Sequence, residues 1–138
     1  MPAGVKLAMA LVSVVVTTKN EEKNIGKLLS SIRNQTHKDI EIIVVDNNST
    51  DETVKIAREF TKTVYEKGPE RSAQRNFGVR KAKGKYVLIV DADMELSMGV
   101  VGSCVENIRG HKALIIPEET QGSGFLASIR KFEREMYM

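Results

Sequence analysis

The chain has no tryptophan, one cysteine and three prolines in 138 residues. A lone thiol, Cys104, excludes a disulfide framework and any zinc site built from several cysteines, which points to a reducing compartment, with the cytoplasm as the expected location. Cys104 falls on a helical pattern beside Val101 and Val105 and is expected as a small core or boundary residue. Aromatic residues make up 5% of the chain and no basic run is interleaved with them, so nucleic acid is not an expected partner. The net charge of +3 would suit phosphate-rich ligands or an anionic membrane surface, but the two signs are interleaved and read first as a solvated surface. Long hydrophobic runs are also missing. Lys6 followed by Leu7 to Val16 has the outline of a signal peptide, yet it is too short to span a bilayer, contains Ser13, lacks a clear small-residue cleavage site and leads into a polar turn. A buried first strand is the expectation.

What is present is an alternation of strand and helix patterns within a length that fits one domain, 1–138. Leu11 to Val16 is rich in β-branched residues, as in a strand covered on both faces. Asn20 is placed to cap a helix whose buried face repeats at Ile25, Leu28, Leu29 and Ile32. Ile40 to Val45 forms a second strand ending in Asp46, Asn47 and Asn48. Ser49 and Glu52 stand in capping-box relation ahead of a helix with Val54, Ala57 and Phe60 inward. Val64 and Tyr65 make a short third strand, Arg71 to Ala82 a helix, and Tyr86 to Val90 a strand that delivers Asp91-Ala92-Asp93. Met98, Val101, Val105 and Ile108 mark a helix, Ala113 to Ile116 a strand, and Phe125, Ile129, Phe132 and Met136 a last helix behind a mobile Gly122-Ser123-Gly124 loop. This order implies right-handed crossovers and an α/β, Rossmann-like, mostly parallel sheet with helices on both faces, whose ligands bind at the carboxyl ends of the strands.

Asp91 and Asp93 are two apart at a strand exit, so their side chains fall on one side if the strand geometry persists. Their oxygens suit a hard cation, Mn²⁺ or Mg²⁺, that takes further ligands from substrate phosphates. An acidic pair in an ordinary turn is the simpler alternative. Asp46, near a crossing of strand order, either accepts a hydrogen bond from a base or ribose or serves the turn around Ser49. Thr17 and Lys19 either line the same crevice or lead into the helix. Arg71, Gln74, Arg75 and Asn76 offer donors to phosphate.

Four segments together carry a resemblance: VVVTTKN at Val14 to Asn20, VVDNNSTD at Val44 to Asp51, Arg75-Asn76 before Gly78, and Gly84-Lys85-Tyr86 leading to Asp91-Ala92-Asp93. In order and spacing, over about residues 11–110, the chain resembles the family 2 glycosyltransferases of the GT-A fold. The resemblance implies a nucleoside held by Thr17, Lys19 and Asp46, with Asp93 as the usual direct metal ligand and Asp91 nearer the ribose. It further implies metal-dependent, inverting transfer of a sugar from a nucleotide-diphospho-sugar to the hydroxyl of a glycan, lipid carrier or small molecule. Lipid-linked acceptors in the family make peripheral contact with the cytoplasmic face of a membrane a further expectation.

Two departures stand out. Asn47 occupies a position where many members carry a second acidic residue that helps read the base; an amide both donates and accepts, so uridine preference is not implied. The acceptor-binding half that normally follows, with its catalytic base, is not found, and the expectation is a chain truncated at its C-terminus. No catalytic base is assigned. Glu118 and Glu119 are the only acidic pair late enough to serve and read better as a solvated loop; His37 and His111 are expected on the surface. Two rival readings are a nucleotide-sugar-binding module without turnover and a signalling receiver domain. The receiver would need acidic residues where Thr17-Thr18 stand and a lysine where Ile116-Pro117 stand.

Overall fold

The computed structural model describes residues 10–114 and 116. Strand β1 (Val12–Thr18) is buried along its whole length, as its valines require. Helix α1 (Ile25–Arg33) then leads to β2 (Ile40–Asp46), α2 (Thr53–Arg58) to β3 (Val64–Glu66), and α3 (Arg71–Lys81) to β4 (Tyr86–Asp91), followed by α4 (Val100–Asn107). The strands form one sheet in the order β3-β2-β1-β4, with every pair parallel. The chain thus builds outward from β1 through β2 to β3, then returns across β1 to lay β4 on its other side. That reversal opens a crevice at the carboxyl ends of β1 and β4, where Thr17 is paired in register with Asp91.

The period of two along β1 sorts the core into two layers. Val12, Val14 and Val16 face Ile25, Leu28, Leu29 and Ile32 of α1, Ala57 of α2, and Val101 and Val105 of α4. Val15, Ile43 and Val45 face the other way, toward Tyr65, Phe77 and Ala82 around α3. Each fully buried aliphatic side chain of α1 contributes roughly 1.5–3 kcal/mol by leaving water. Helix α3 has little apolar surface, and its buried positions are Gln74 and Gly78. Gly78 lets α3 lie on the sheet: a Cβ there would come within 2.4 Å of Val15 Cγ1.

Several local expectations are corrected. Asn20 does not cap α1, which begins at Ile25 behind Asn24. Asn20 adopts a positive φ of 51°, and its Oδ1 accepts from the Thr50 backbone N–H at 2.8 Å. Ser49 and Glu52 make no capping box: α2 begins at Thr53, and Ser49 Oγ donates to Asp46 and accepts from the Asn20 backbone. The buried residues of α2 are Thr53 and Ala57, while Val54 is only half-buried. Capping rules read neighbours along the chain, whereas these polar groups join the loop after β1 to the loop after β2. His37 is buried, with Nε2 2.7 Å from the Ala10 carbonyl, while His111 is exposed as expected. Ala113, Leu114 and Ile116 are not in a strand. Cys104 is a boundary residue whose thiol burial pushes up to about 11. Gly122-Ser123-Gly124, the Phe125-to-Met136 helix, Glu118 and Glu119 lie outside the described residues.

Candidate functional site

The crevice at the β1–β4 switch is an open cleft of about 360 Å³ lined by Thr17, Thr18, Lys19, Glu21, Arg71, Gln74, Asp91, Ala92 and Asp93. Six of the residues singled out in the sequence, Thr17, Lys19, Arg71, Gln74, Asp91 and Asp93, therefore meet in one place. The two carboxylates do so for a different reason than expected. The strand stops at Asp91, and Ala92 and Asp93 turn, with the Met94 N–H donating to the Asp91 carbonyl at 3.2 Å. The turn, and not the pleat of a continuing strand, brings Asp93 into the cleft as an exposed carboxylate.

Asp91 sits deeper, its side chain 18% exposed, and is held by α3: Arg75 Nη2 donates to Oδ1 at 3.3 Å and Arg71 Nη1 lies 4.0 Å from Oδ2. Lys19 Nζ donates to the Asn48 carbonyl at 3.2 Å, tying the loop after β1 to the loop after β2. Thr17 is buried and its Oγ1 has no hydrogen-bond partner among the described residues. An unpaired buried hydroxyl costs roughly 1–3 kcal/mol, an expense a ligand donor or acceptor would remove.

The remaining candidates stand behind this lining. Asp46 is fully buried; its carboxylate accepts from Thr18 Oγ1 and Ser49 Oγ, each at 2.6 Å, and from the Ser49 N–H at 2.8 Å. It does not border the cleft, because the strand order puts β2 on the side of β1 away from β4. The crossing itself lies between β1 and β4, one strand away from Asp46, which is paired in register with Thr18 at the end of β1. Asn47 donates through Nδ2 to the Pro69 carbonyl at 2.9 Å and packs on Gly68, where a Cβ would meet its Oδ1 at 2.3 Å. Arg75 does not itself line the cleft but donates to Asp91, which does.

Sequence reasoning missed the second role of Gln74 and the part played by Thr18 and Glu21. Gln74 is buried, and its amide donates to the carbonyls of Thr18 at 3.1 Å and Val45 at 2.8 Å, fixing α3 over the ends of β1 and β2. A polar residue four positions before Gly78, on the sheet-facing side of a helix, was the available signal.

Two carboxylates with oxygen ligands suit a hard divalent ion. Among the described residues no group of three or more His, Cys, Asp or Glu could hold one unaided. An ion of the Mn²⁺ or Mg²⁺ type at Asp91 and Asp93 would therefore have to keep waters or complete its shell from phosphate oxygens. A second hollow, about 290 Å³ beside Arg33, His37, Lys38, Glu41, Thr61 and Thr63, lies at the start of β2, away from the carboxylate pair.

The fold and the cleft at its strand ends define an α/β domain of the GT-A type. The Glycosyl transferase family 2 profile matches residues 13–133, and the chain belongs to that family. Among relatives, it is 33% identical over 108 residues to the GalNAc(5)-diNAcBac-PP-undecaprenol beta-1,3-glucosyltransferase of Campylobacter jejuni, covering 71% of this chain and 34% of the relative. Among solved structures, S. aureus TarS 1–349 in complex with UDP-GlcNAc matches with a TM-score of 0.68 at 30% identity, covering 79% of this chain and 34% of that one. The mannosyltransferase PcManGT from Pyrobaculum calidifontis, in complex with GDP-Man and Mn²⁺, matches with a TM-score of 0.67 at 28% identity, covering 75% and 34%. The chain thus spans about a third of the length of these relatives. Among the described residues no helix is long and apolar enough to cross a membrane.

Proposed function

We propose that this chain forms the donor-binding part of a metal-dependent, inverting glycosyltransferase that takes a nucleotide-diphospho-sugar. The observation that carries the reading is the meeting of Asp91, Asp93, Arg71, Lys19 and the unpartnered Thr17 hydroxyl in one cleft at the β1–β4 switch. Asp93, and Asp91 beside it, would hold Mn²⁺ or Mg²⁺, which when bound offsets the negative charge on a departing diphosphate. Arg71 and Arg75 supply guanidinium donors to phosphate oxygens. Thr17 and Lys19 would line the nucleoside side of the cleft, where the buried Thr17 Oγ1 lacks a hydrogen-bond partner among the described residues. Asp46 and Asn47 act one step back, Asp46 by fixing Thr18 and Asn47 by fixing the start of α3. TarS with UDP-GlcNAc and PcManGT with GDP-Man and Mn²⁺ support the ligand class and leave both uridine and guanosine donors to be tried.

Transfer also needs an acceptor hydroxyl and a base to take its proton. No residue lining the cleft is assigned that role, so the second reading is donor binding without turnover by these residues alone. A lipid-linked acceptor at the cytoplasmic face of a membrane fits the wider family resemblance. The test offers the chain UDP- and GDP-sugars with Mn²⁺ and a panel of glycan, lipid-carrier and small-molecule acceptors. Glycosylated product supports the enzyme, metal-dependent binding without product supports the binding module, and the absence of binding by any donor contradicts both.

A further inference from the structure

Asp91 meets two guanidiniums on the side of the cleft where a donor complex would bring a cation. Arg75 hydrogen-bonds Oδ1 at 3.3 Å, and Arg71 faces Oδ2 more distantly at 4.0 Å, so each oxygen of the carboxylate has a guanidinium beside it. The two arginines are four residues apart on α3 and project from one face of it. Asp91 and Arg75 are 18% and 24% exposed, which limits screening of their attraction, whereas Arg71 is 65% exposed and holds loosely.

We propose that Arg75, assisted by Arg71, is a place-holding cation: it neutralises Asp91 in the donor-free protein and is drawn away when a divalent ion arrives together with a diphosphate. The inference rests on the reading of Asp91 and Asp93 as metal carboxylates and adds an order to it. A guanidinium and a divalent ion repel each other at the same oxygens, so the ion alone binds against competition. A diphosphate offers the planar guanidinium a pair of oxygens that it can engage bidentately. Moving Arg75 from Asp91 to phosphate keeps its charge paired and releases the carboxylate. Nucleotide then tightens ion binding, and by linkage the ion tightens nucleotide binding by the same factor.

The experiment measures Mn²⁺ binding to the full chain from the electron paramagnetic resonance of the free ion, first without nucleotide and then with UDP or GDP. Relative to the parent, Arg75→Gln is expected to bind Mn²⁺ alone about tenfold more tightly, Arg71→Gln less so but in the same direction, and the gain from nucleotide to shrink in both. Circular dichroism reports folding, and the exposed Arg71→Gln decides the matter where Arg75→Gln does not fold. Unchanged Mn²⁺ affinity in folded arginine variants, with binding still lost in Asp91→Asn and Asp93→Ala, overturns the place-holder and leaves the metal site standing. Mn²⁺ binding indifferent to Asp91→Asn and Asp93→Ala overturns the metal site, and the place-holder with it.

Discussion

Gln74 Nε2 donates to the carbonyl oxygen of Thr18 at 3.1 Å, joining the inner face of α3 to the last residue of β1. The same nitrogen donates to Val45, so one buried amide sets the height of α3 above two strand ends. Replacing it by Leu leaves both carbonyls without that donor, and the expected loss is about 1–3 kcal/mol of unfolding free energy, measured in urea. Because Arg71 and Arg75 ride on the same helix, nucleotide affinity is expected to fall as well. A Gln74→Leu protein as stable as the parent contradicts this role.

Gly78 is expected to be intolerant of a methyl group. A Cβ would overlap Val15 Cγ1 and press on Val45 Cγ2, the latter at 3.2 Å, and neither side chain has room to move in the core. Gly78→Ala should destabilise by roughly 1–3 kcal/mol, despite the better helix propensity of alanine. Recovery of that loss in the double variant with Val15→Ala would identify the overlap as its source, and no recovery would assign it elsewhere.

Asp46→Ala removes an acceptor shared by the Thr18 hydroxyl, the Ser49 hydroxyl and the Ser49 N–H. A loss of about 1–3 kcal/mol is expected, because three donors are left to find water or go unpaired. Thermal unfolding checks it. If Asp46→Ala keeps its stability while losing nucleotide, Asp46 touches the ligand directly and the supporting role is wrong.

Cys104 should behave as an inert thiol. Burial lifts its pKa from 9.0 to about 11, so at neutral pH a disulfide reagent meets almost no thiolate in the folded chain. Between those two values the folded state retains a proton that the unfolded state has released, and stability falls as pH rises across that window. Comparing parent with Cys104→Ser isolates the slope; parallel pH profiles for the two proteins would contradict the burial.

Much of the fold could be read from the sequence because its signals are repetitive. The valines of β1, the Ile25-Leu28-Leu29-Ile32 stripe of α1 and the glycine-bounded α3 each repeat one message over several residues. The cleft was legible through Asp91, Asp93, Thr17, Lys19 and Arg71, which sit at strand exits or a helix start. What could not be read depends on strand order and on contacts distant in sequence. Asp46 looks like a cleft residue until β2 is placed on the far side of β1. Asn20, Ser49 and Glu52 look like local caps, yet the two loops bind each other across about thirty residues, as in the pairs Asn20–Ser49 and Glu22–Glu52. His37 looks exposed among polar neighbours until the Ala10 carbonyl beside it is known.

The central claim is that the cleft binds a nucleoside diphosphate through a metal held at Asp93 and Asp91. Isothermal titration of the chain with UDP and GDP, in Mn²⁺ and again in excess EDTA, with Asp93→Ala alongside the parent, tests it most directly. Binding in Mn²⁺ is expected to weaken about tenfold or more in EDTA and to a similar extent in folded Asp93→Ala. Equal affinity in all three conditions, or no binding of either nucleotide to the folded parent, would contradict it.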